Sequence, residues 1–141
     1  MLTVEDILMV KGPDVIVGSP AMTVREAARL MAQAKVGSIV IQHNGQAAGM
    51  FTERDLLCRV VAPGKDPAVT ALSEVMTSPI QSVGLADTIL DCGAIMMRTH
   101  IRHLAVIEDG SLVGMLSFRD VLAAELTQSR QALEESHIGH A

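Results

Sequence analysis

Gly49-Met50-Phe51-Thr52-Glu53-Arg54-Asp55-Leu56-Leu57 returns 65 residues later (114 − 49) as Gly114-Met115-Leu116-Ser117-Phe118-Arg119-Asp120-Val121-Leu122. A duplicated core needs only apolar residues in register. This repeat also keeps a hydroxyl residue, an arginine and an aspartate at matching places, which points to a pair of equivalent ligand sites.

Upstream the register holds without a gap, with Gly45 on Gly110, Met31 on Met96, Thr23 on Thr88 and Ala21 on Ala86. It then slips by three, because Val4-Glu5-Asp6-Ile7-Leu8 aligns with Leu72-Ser73-Glu74-Val75-Met76 at an offset of 68 (76 − 8). Two copies are too few for a solenoid array. The chain of 141 residues has the size of one ordinary domain, so the expectation is two half-domains closing on one shared core. The spans are 1–68 for the first repeat with its lead-in and linker, 69–124 for the second, and 125–141 for a C-terminal helical extension. Ala62-Pro63-Gly64-Lys65-Asp66-Pro67 reads as the connecting loop.

Composition narrows the function. A net charge of −5 repels a phosphate backbone or an anionic membrane. Phe51 and Phe118 are the only aromatic residues, so stacking platforms for single-stranded nucleic acid are missing. No apolar run is long enough to span a bilayer, and the first residues do not read as a leader, so a cytoplasmic protein is expected. Cys58 and Cys92 form no C-x-x-C and sit among apolar helical residues, which suggests buried reduced thiols.

Thr23-Val24-Arg25-Glu26 is a capping box opening a helix to about Lys35. Ser38-Ile39-Val40-Ile41, Asn44-Gly45 and Ala48-Gly49-Met50-Phe51 read as strand, hairpin turn and strand, after which Thr52 opens another helix. In the second copy Thr88 starts a helix, Leu104-Ala105-Val106-Ile107 is a strand, Asp109-Gly110 turns, and Leu112 to Leu116 returns. The fold class is therefore α/β (α+β), with two pseudosymmetric β-α-β-β-α repeats packed into one module.

The chemistry concentrates at Thr52 with Asp55 and at Ser117 with Asp120. A hydroxyl residue followed three places later by an acid is a helix cap, and that alone would explain the pattern. A helix N-terminus also suits a phosphate, while a carboxylate can accept both hydrogens of a ribose cis-diol. Hydroxyl plus aspartate then fits a ribose phosphate. Arg54 and Arg119 would neutralise phosphate charge or serve as solvated surface cations.

The duplicated Gly-x-apolar-apolar-[Ser/Thr]-x-x-Asp resembles the cystathionine-beta-synthase (CBS) domain pair, and the likeness covers nearly the whole chain. It includes the lead-ins Val4 to Leu8 and Val75-Met76-Thr77, and Ile101-Arg102-His103-Leu104-Ala105-Val106, where Ala105 replaces the family's usual proline. The resemblance implies a cytosolic regulatory module binding AMP, ADP, ATP, NAD or S-adenosylmethionine in clefts between the repeats. It gives Thr52, Asp55, Ser117 and Asp120 the ribose and phosphate roles. It also implies adenine pockets at Ile16-Val17-Gly18 with Val36-Gly37, and at Pro79-Ile80-Gln81 with Ile101-Arg102. Arg102 and His103 face Gly37 and Ser38 in the alignment, so the two sites should differ in phosphate affinity.

Other features are weaker. His100 with His103, and His137 with His140, have i, i+3 spacing but no third ligand at a motif distance, so no metal is expected. Met31, Met50, Met96, Met97 and Met115 read as core fillers. Leu122, Leu126, Ser129 and Leu133 form a seam that suits a partner helix, in a homodimer, or packing on the chain's own body. No nucleophile elbow or P-loop is present, so a non-enzyme with no required cofactor, acting on a separate regulated protein, is expected. The competing reading is a ligand-free dimeric interaction scaffold whose aspartates only cap helices.

Overall fold

The computed structural model describes residues 1–138, with side chains described through residue 136. The elements run α1 (Val4–Lys11), β1 (Val17–Gly18), α2 (Val24–Ala34), β2 (Ser38–His43), β3 (Gln46–Thr52) and α3 (Glu53–Asp55), which continues as a π-helical stretch, Leu56–Val61. There follow α4 (Leu72–Val75), β4 (Ser82–Val83), α5 (Ile89–Thr99), β5 (His103–Glu108), β6 (Ser111–Ser117) and α6 (Phe118–Ile138). Each copy gives the expected β-α-β-β-α order.

Two three-stranded sheets form, β1-β2-β3 and β4-β5-β6. β1 runs parallel to β2 with Val17 opposite Val40, and β4 parallel to β5 with Ser82 opposite Ala105, the same pairing displaced by 65. In the hairpins Asn44 and Gly45 have φ of 53° and 78°, and Asp109 and Gly110 have 50° and 79°. Positive φ at both central residues is what a two-residue turn between twisted strands demands.

The helix starts follow the capping chemistry. Thr23 accepts from the N–H of Glu26 at 3.2 Å while Glu26 accepts from the Thr23 N–H, and Thr88 accepts from the Asp91 N–H at 3.1 Å. After Leu56 the helix widens: the N–H of Ala62 donates to the Leu57 carbonyl, and that of Lys65 to Val60, both at 2.9 Å and five residues apart.

The chain divides into two compact units. One holds Met1–Pro13, Ser82–Glu108 and Val113–Ala141; the other holds Asp14–Gln81 and Asp109–Leu112. They cut across the contiguous spans 1–68 and 69–124 because each lead-in helix packs on the other copy's hairpin. A Cβ on Gly114 would sit 2.8 Å from the Leu8 methyls, and one on Gly49 would sit 2.8 Å from Met76 Sδ and the Thr77 carbonyl. Glycine is what lets each lead-in come this close. Leu8 and Met76 are the residues aligned at the offset of 68, so the slip in register is present in the packing.

Each unit buries its own cluster: Val4, Ile7, Leu8, Ile89, Met96, Leu104 and Leu116 in one, and Val24, Ala27, Met31, Ile39, Ile41, Phe51 and Leu72 in the other. Two sheets, each with its own helices, each have an apolar face to cover. A fully buried Leu, Ile or Phe contributes roughly 1.5–3 kcal/mol.

Two further expectations are corrected. Cys92 is buried but Cys58, on the widened helix, is exposed. Met97 is 69% exposed whereas Met31, Met50, Met96 and Met115 are buried. Neighbouring helix positions point about 100° apart, so Met96 and Met97 cannot both face one core. Leu122, Leu126 and Leu133 are exposed as well, which goes against the seam packing on the chain's own body.

Candidate ligand sites

The two hydroxyl–aspartate pairs stand where a strand runs directly into a helix. Thr52 ends β3 and Ser117 ends β6, so the hairpin fixes the position of each hydroxyl. The residue before β2 and the one before β5 meet them in the same way: the N–H of Glu53 donates to the Gly37 carbonyl at 3.1 Å, and that of Phe118 to the Arg102 carbonyl at 2.8 Å. These contacts bring Gly37 beside the Thr52 site and Arg102 beside the Ser117 site.

Both pairs are reciprocal caps. Asp55 Oδ2 accepts from the Thr52 N–H at 3.0 Å and Thr52 Oγ1 accepts from the Asp55 N–H at 3.2 Å. Asp120 Oδ2 accepts from the Ser117 N–H at 2.8 Å and Ser117 Oγ accepts from the Asp120 N–H at 3.1 Å. The capping role is real in both copies, and what separates the copies is the rest of each carboxylate.

Asp55 is held through both oxygens. Its Oδ1 accepts from Thr77 Oγ1 at 3.1 Å and lies 3.5 Å from Arg59 Nε, and its side chain is 9% exposed. Arg59 also donates to the Met76 carbonyl at 3.0 Å. Asp120 is more open, with 23% of its side chain exposed, and its bonds converge on Oδ2, where Lys11 Nζ approaches to 2.7 Å. Lys11 further donates to the Met115 carbonyl at 2.8 Å.

The Asp120 carboxyl lies below its ordinary pKa. Partial burial works to raise it, but the hydrogen bond from Lys11, the Ser117 N–H, the Lys11 charge and the Ser117 hydroxyl together outweigh that penalty.

The other expected residues fall as follows. Ile16, Val17 and Gly18 line up along β2, the Ile16 carbonyl accepting from the Val40 N–H at 3.0 Å, which places them with Gly37 and Thr52 in one unit. Val36 is exposed just before Gly37. Pro79, Ile80 and Gln81 end a segment of that same unit, whereas Ile101, Arg102, Ser117 and Asp120 belong to the other. Arg54 and Arg119 are exposed. Arg102 is also exposed, with its guanidinium 6.0 Å from the centre of the Phe118 ring. His103 begins β5 and is half-buried.

Thr77, Arg59 and Lys11 carried no role in the sequence. Thr77 was visible only as part of a lead-in, and nothing local connects Lys11 to a residue 109 positions away.

Among the described residues no group of three or more His, Cys, Asp and Glu could hold a metal ion. His100 has φ of 57° and ends α5, so it shares no helical face with His103. The pair His137 and His140 lies outside the residues with described side chains. No helix among the described residues is long and apolar enough to cross a membrane.

The family model of the CBS domain matches residues 2–62 and 72–127. The CBS domain-containing protein YhcV of Bacillus subtilis (strain 168) is 32% identical over 122 residues, covering 86% of this chain and 86% of its own. Two other relatives are longer, and the chain spans 58% and 57% of their lengths. The crystal structure of the CBS-domain containing protein ATU1752 from Agrobacterium tumefaciens superposes with a TM-score of 0.83 at 33% identity, covering 87% of this chain and 98% of that one. The CBS domain protein PAE2072 from Pyrobaculum aerophilum, complexed with AMP, gives 0.75 at 31% identity over 84% of this chain and 89% of its own.

Proposed function

The chain belongs to the CBS domain family as a tandem pair, a regulatory module, and from that premise we propose that it binds an adenosine-containing ligand and passes the signal to a partner protein. The observation that carries this reading is the duplicated hydroxyl–aspartate pair. Each lies at a strand-to-helix junction, where backbone N–H groups and the helix dipole favour a phosphate and a carboxylate oxygen can take a ribose hydroxyl. The AMP complex of PAE2072 supports the ligand class. AMP leads the candidates for that reason, with ADP, ATP, NAD and S-adenosylmethionine behind it.

The module acts without chemistry of its own, in the cytoplasm, and its output is a change of shape read by a separate protein. A homodimer is part of the proposal. Leu90, Met97, Phe118 and Leu122 line an apolar groove between α5 and α6, and Leu126 and Leu133 extend the exposed stripe along α6. An exposed stripe of this kind fits a second copy better than water.

The test is thermal unfolding with AMP, ADP, ATP, NAD and S-adenosylmethionine in turn. A ligand at a hundred times its Kd stabilises by about 2.7 kcal/mol, or roughly 5–10 °C for a chain of this size. A rise with at least one, lost in the Asp55→Asn, Asp120→Asn double variant, supports the sensor. No rise with any at millimolar concentration favours the ligand-free scaffold.

A further inference from the structure

We propose that Lys11 is the residue that makes the Ser117–Asp120 site select phosphate-bearing ligands over neutral nucleosides. This rests on the reading that the site holds an adenosine compound.

The arginines of the sequence motifs are not the cation closest to this carboxylate. Arg119 is exposed on α6 and Arg102 lies over the Phe118 ring, whereas Lys11 Nζ stands 2.7 Å from Asp120 Oδ2. An ammonium has three N–H donors. Two are directed at Asp120 and at the Met115 carbonyl, at 2.7 and 2.8 Å. The third can be given to a ligand oxygen without breaking either bond.

The lysine is held in place by packing. Lys11 closes α1, one turn beyond Leu8, and Leu8 lies against Gly114 on β6. The Gly12 N–H bonds to the Leu8 carbonyl at 2.8 Å, which fixes the end of the helix. The charged group is therefore pre-positioned, and little side-chain freedom is lost when a ligand arrives.

The charge balance decides the selectivity. Lys11 and Asp120 cancel each other's charge, and a nucleoside gains only hydroxyl contacts on the carboxylate. A phosphate a few ångströms from the ribose gains a charge-assisted hydrogen bond as well. The aligned position in the second lead-in is Pro79, which cannot supply this charge to the Thr52–Asp55 site. There the cation near the aspartate is Arg59, on the same helix as Asp55 and engaged with the Met76 carbonyl.

The experiment is titration calorimetry of AMP and adenosine against the full chain, its Lys11→Met and Lys11→Arg variants, and wild type at raised salt. Wild type is expected to prefer AMP by roughly tenfold or more, the scale of one charge-assisted bond. Lys11→Met is expected to lose most of that preference and Lys11→Arg to keep it. A Lys11→Met protein with the wild-type ratio overturns the assignment and leaves the adenosine reading standing. Failure of AMP and adenosine, and of ADP, ATP, NAD and S-adenosylmethionine as well, to bind wild type overturns both. Should Lys11→Met not fold, a wild-type preference that does not narrow with salt overturns the assignment instead.

Discussion

Thr77 and Asp55 lie 22 residues apart in the chain and meet at 3.1 Å, hydroxyl to carboxylate oxygen, in a partly buried contact within one unit. The contact ties the lead-in of the second copy to the helix start of the first. Thr77→Val keeps the shape and removes the donor. It is expected to cost roughly 1–3 kcal/mol, the usual loss when a buried charged acceptor is deprived of a partner. Urea unfolding of the two proteins measures it.

Lys11→Met should reveal the pH dependence of the other carboxylate. The Asp120 pKa in the folded chain is lowered by Lys11 and Ser117 against the opposing effect of burial. Its contribution to stability is therefore complete above the unfolded value of about 3.9 and is lost as pH falls through the folded value. Near pH 7 wild type should be the more stable by about 1 kcal/mol or less, as for a partly exposed pair. As pH falls from that unfolded value through the lower folded one, the two melting curves should converge.

Gly49→Ala and Gly114→Ala both force an approach of 2.8 Å, but against different neighbours. At Gly114 the added methyl meets the end of the Leu8 side chain, which can turn away. At Gly49 it meets the Thr77 backbone carbonyl, which is fixed by paired hydrogen bonds with Met50 at 2.8 and 3.0 Å. Overpacking of this kind costs about 1–3 kcal/mol, and Gly49→Ala is expected to be the more damaging. Denaturant midpoints rank the two.

One thiol of two should react in the native protein. Cys58 is exposed, while Cys92 is buried and its pKa is pushed up to about 11, by desolvation first and then by Asp87 and Asp91. Thiol titration near pH 8 is expected to count one group, and two after unfolding. Loss of the native signal in Cys58→Ser identifies it.

Leu126→Glu places a charge on the exposed stripe of α6, where Leu126 is 62% exposed. In a monomer this should be nearly neutral for stability. If a second copy covers the stripe, light scattering is expected to show wild type as a dimer and the variant as a monomer.

The hairpins, helix starts and duplicated pairs were legible in the sequence because each is local. Asn44-Gly45 and Asp109-Gly110 demand one turn geometry, and Thr52 with Asp55 spans three residues. The partners of those carboxylates were not legible, since Thr77 and Lys11 arrive through packing across 22 and 109 positions. Cys58 escaped for another reason. The helix passes from α to π geometry at Leu56, so a 3.6-residue period no longer tells which face turns inward.

The most direct measurement is titration calorimetry of AMP and its 2′,3′-dideoxy analogue against the wild-type chain. If the aspartates receive the ribose hydroxyls, AMP binds and the analogue binds roughly ten- to a hundredfold more weakly, the scale of hydrogen bonds to a charged acceptor. Equal affinity for the two would contradict the account and leave Asp55 and Asp120 without a role towards the ribose.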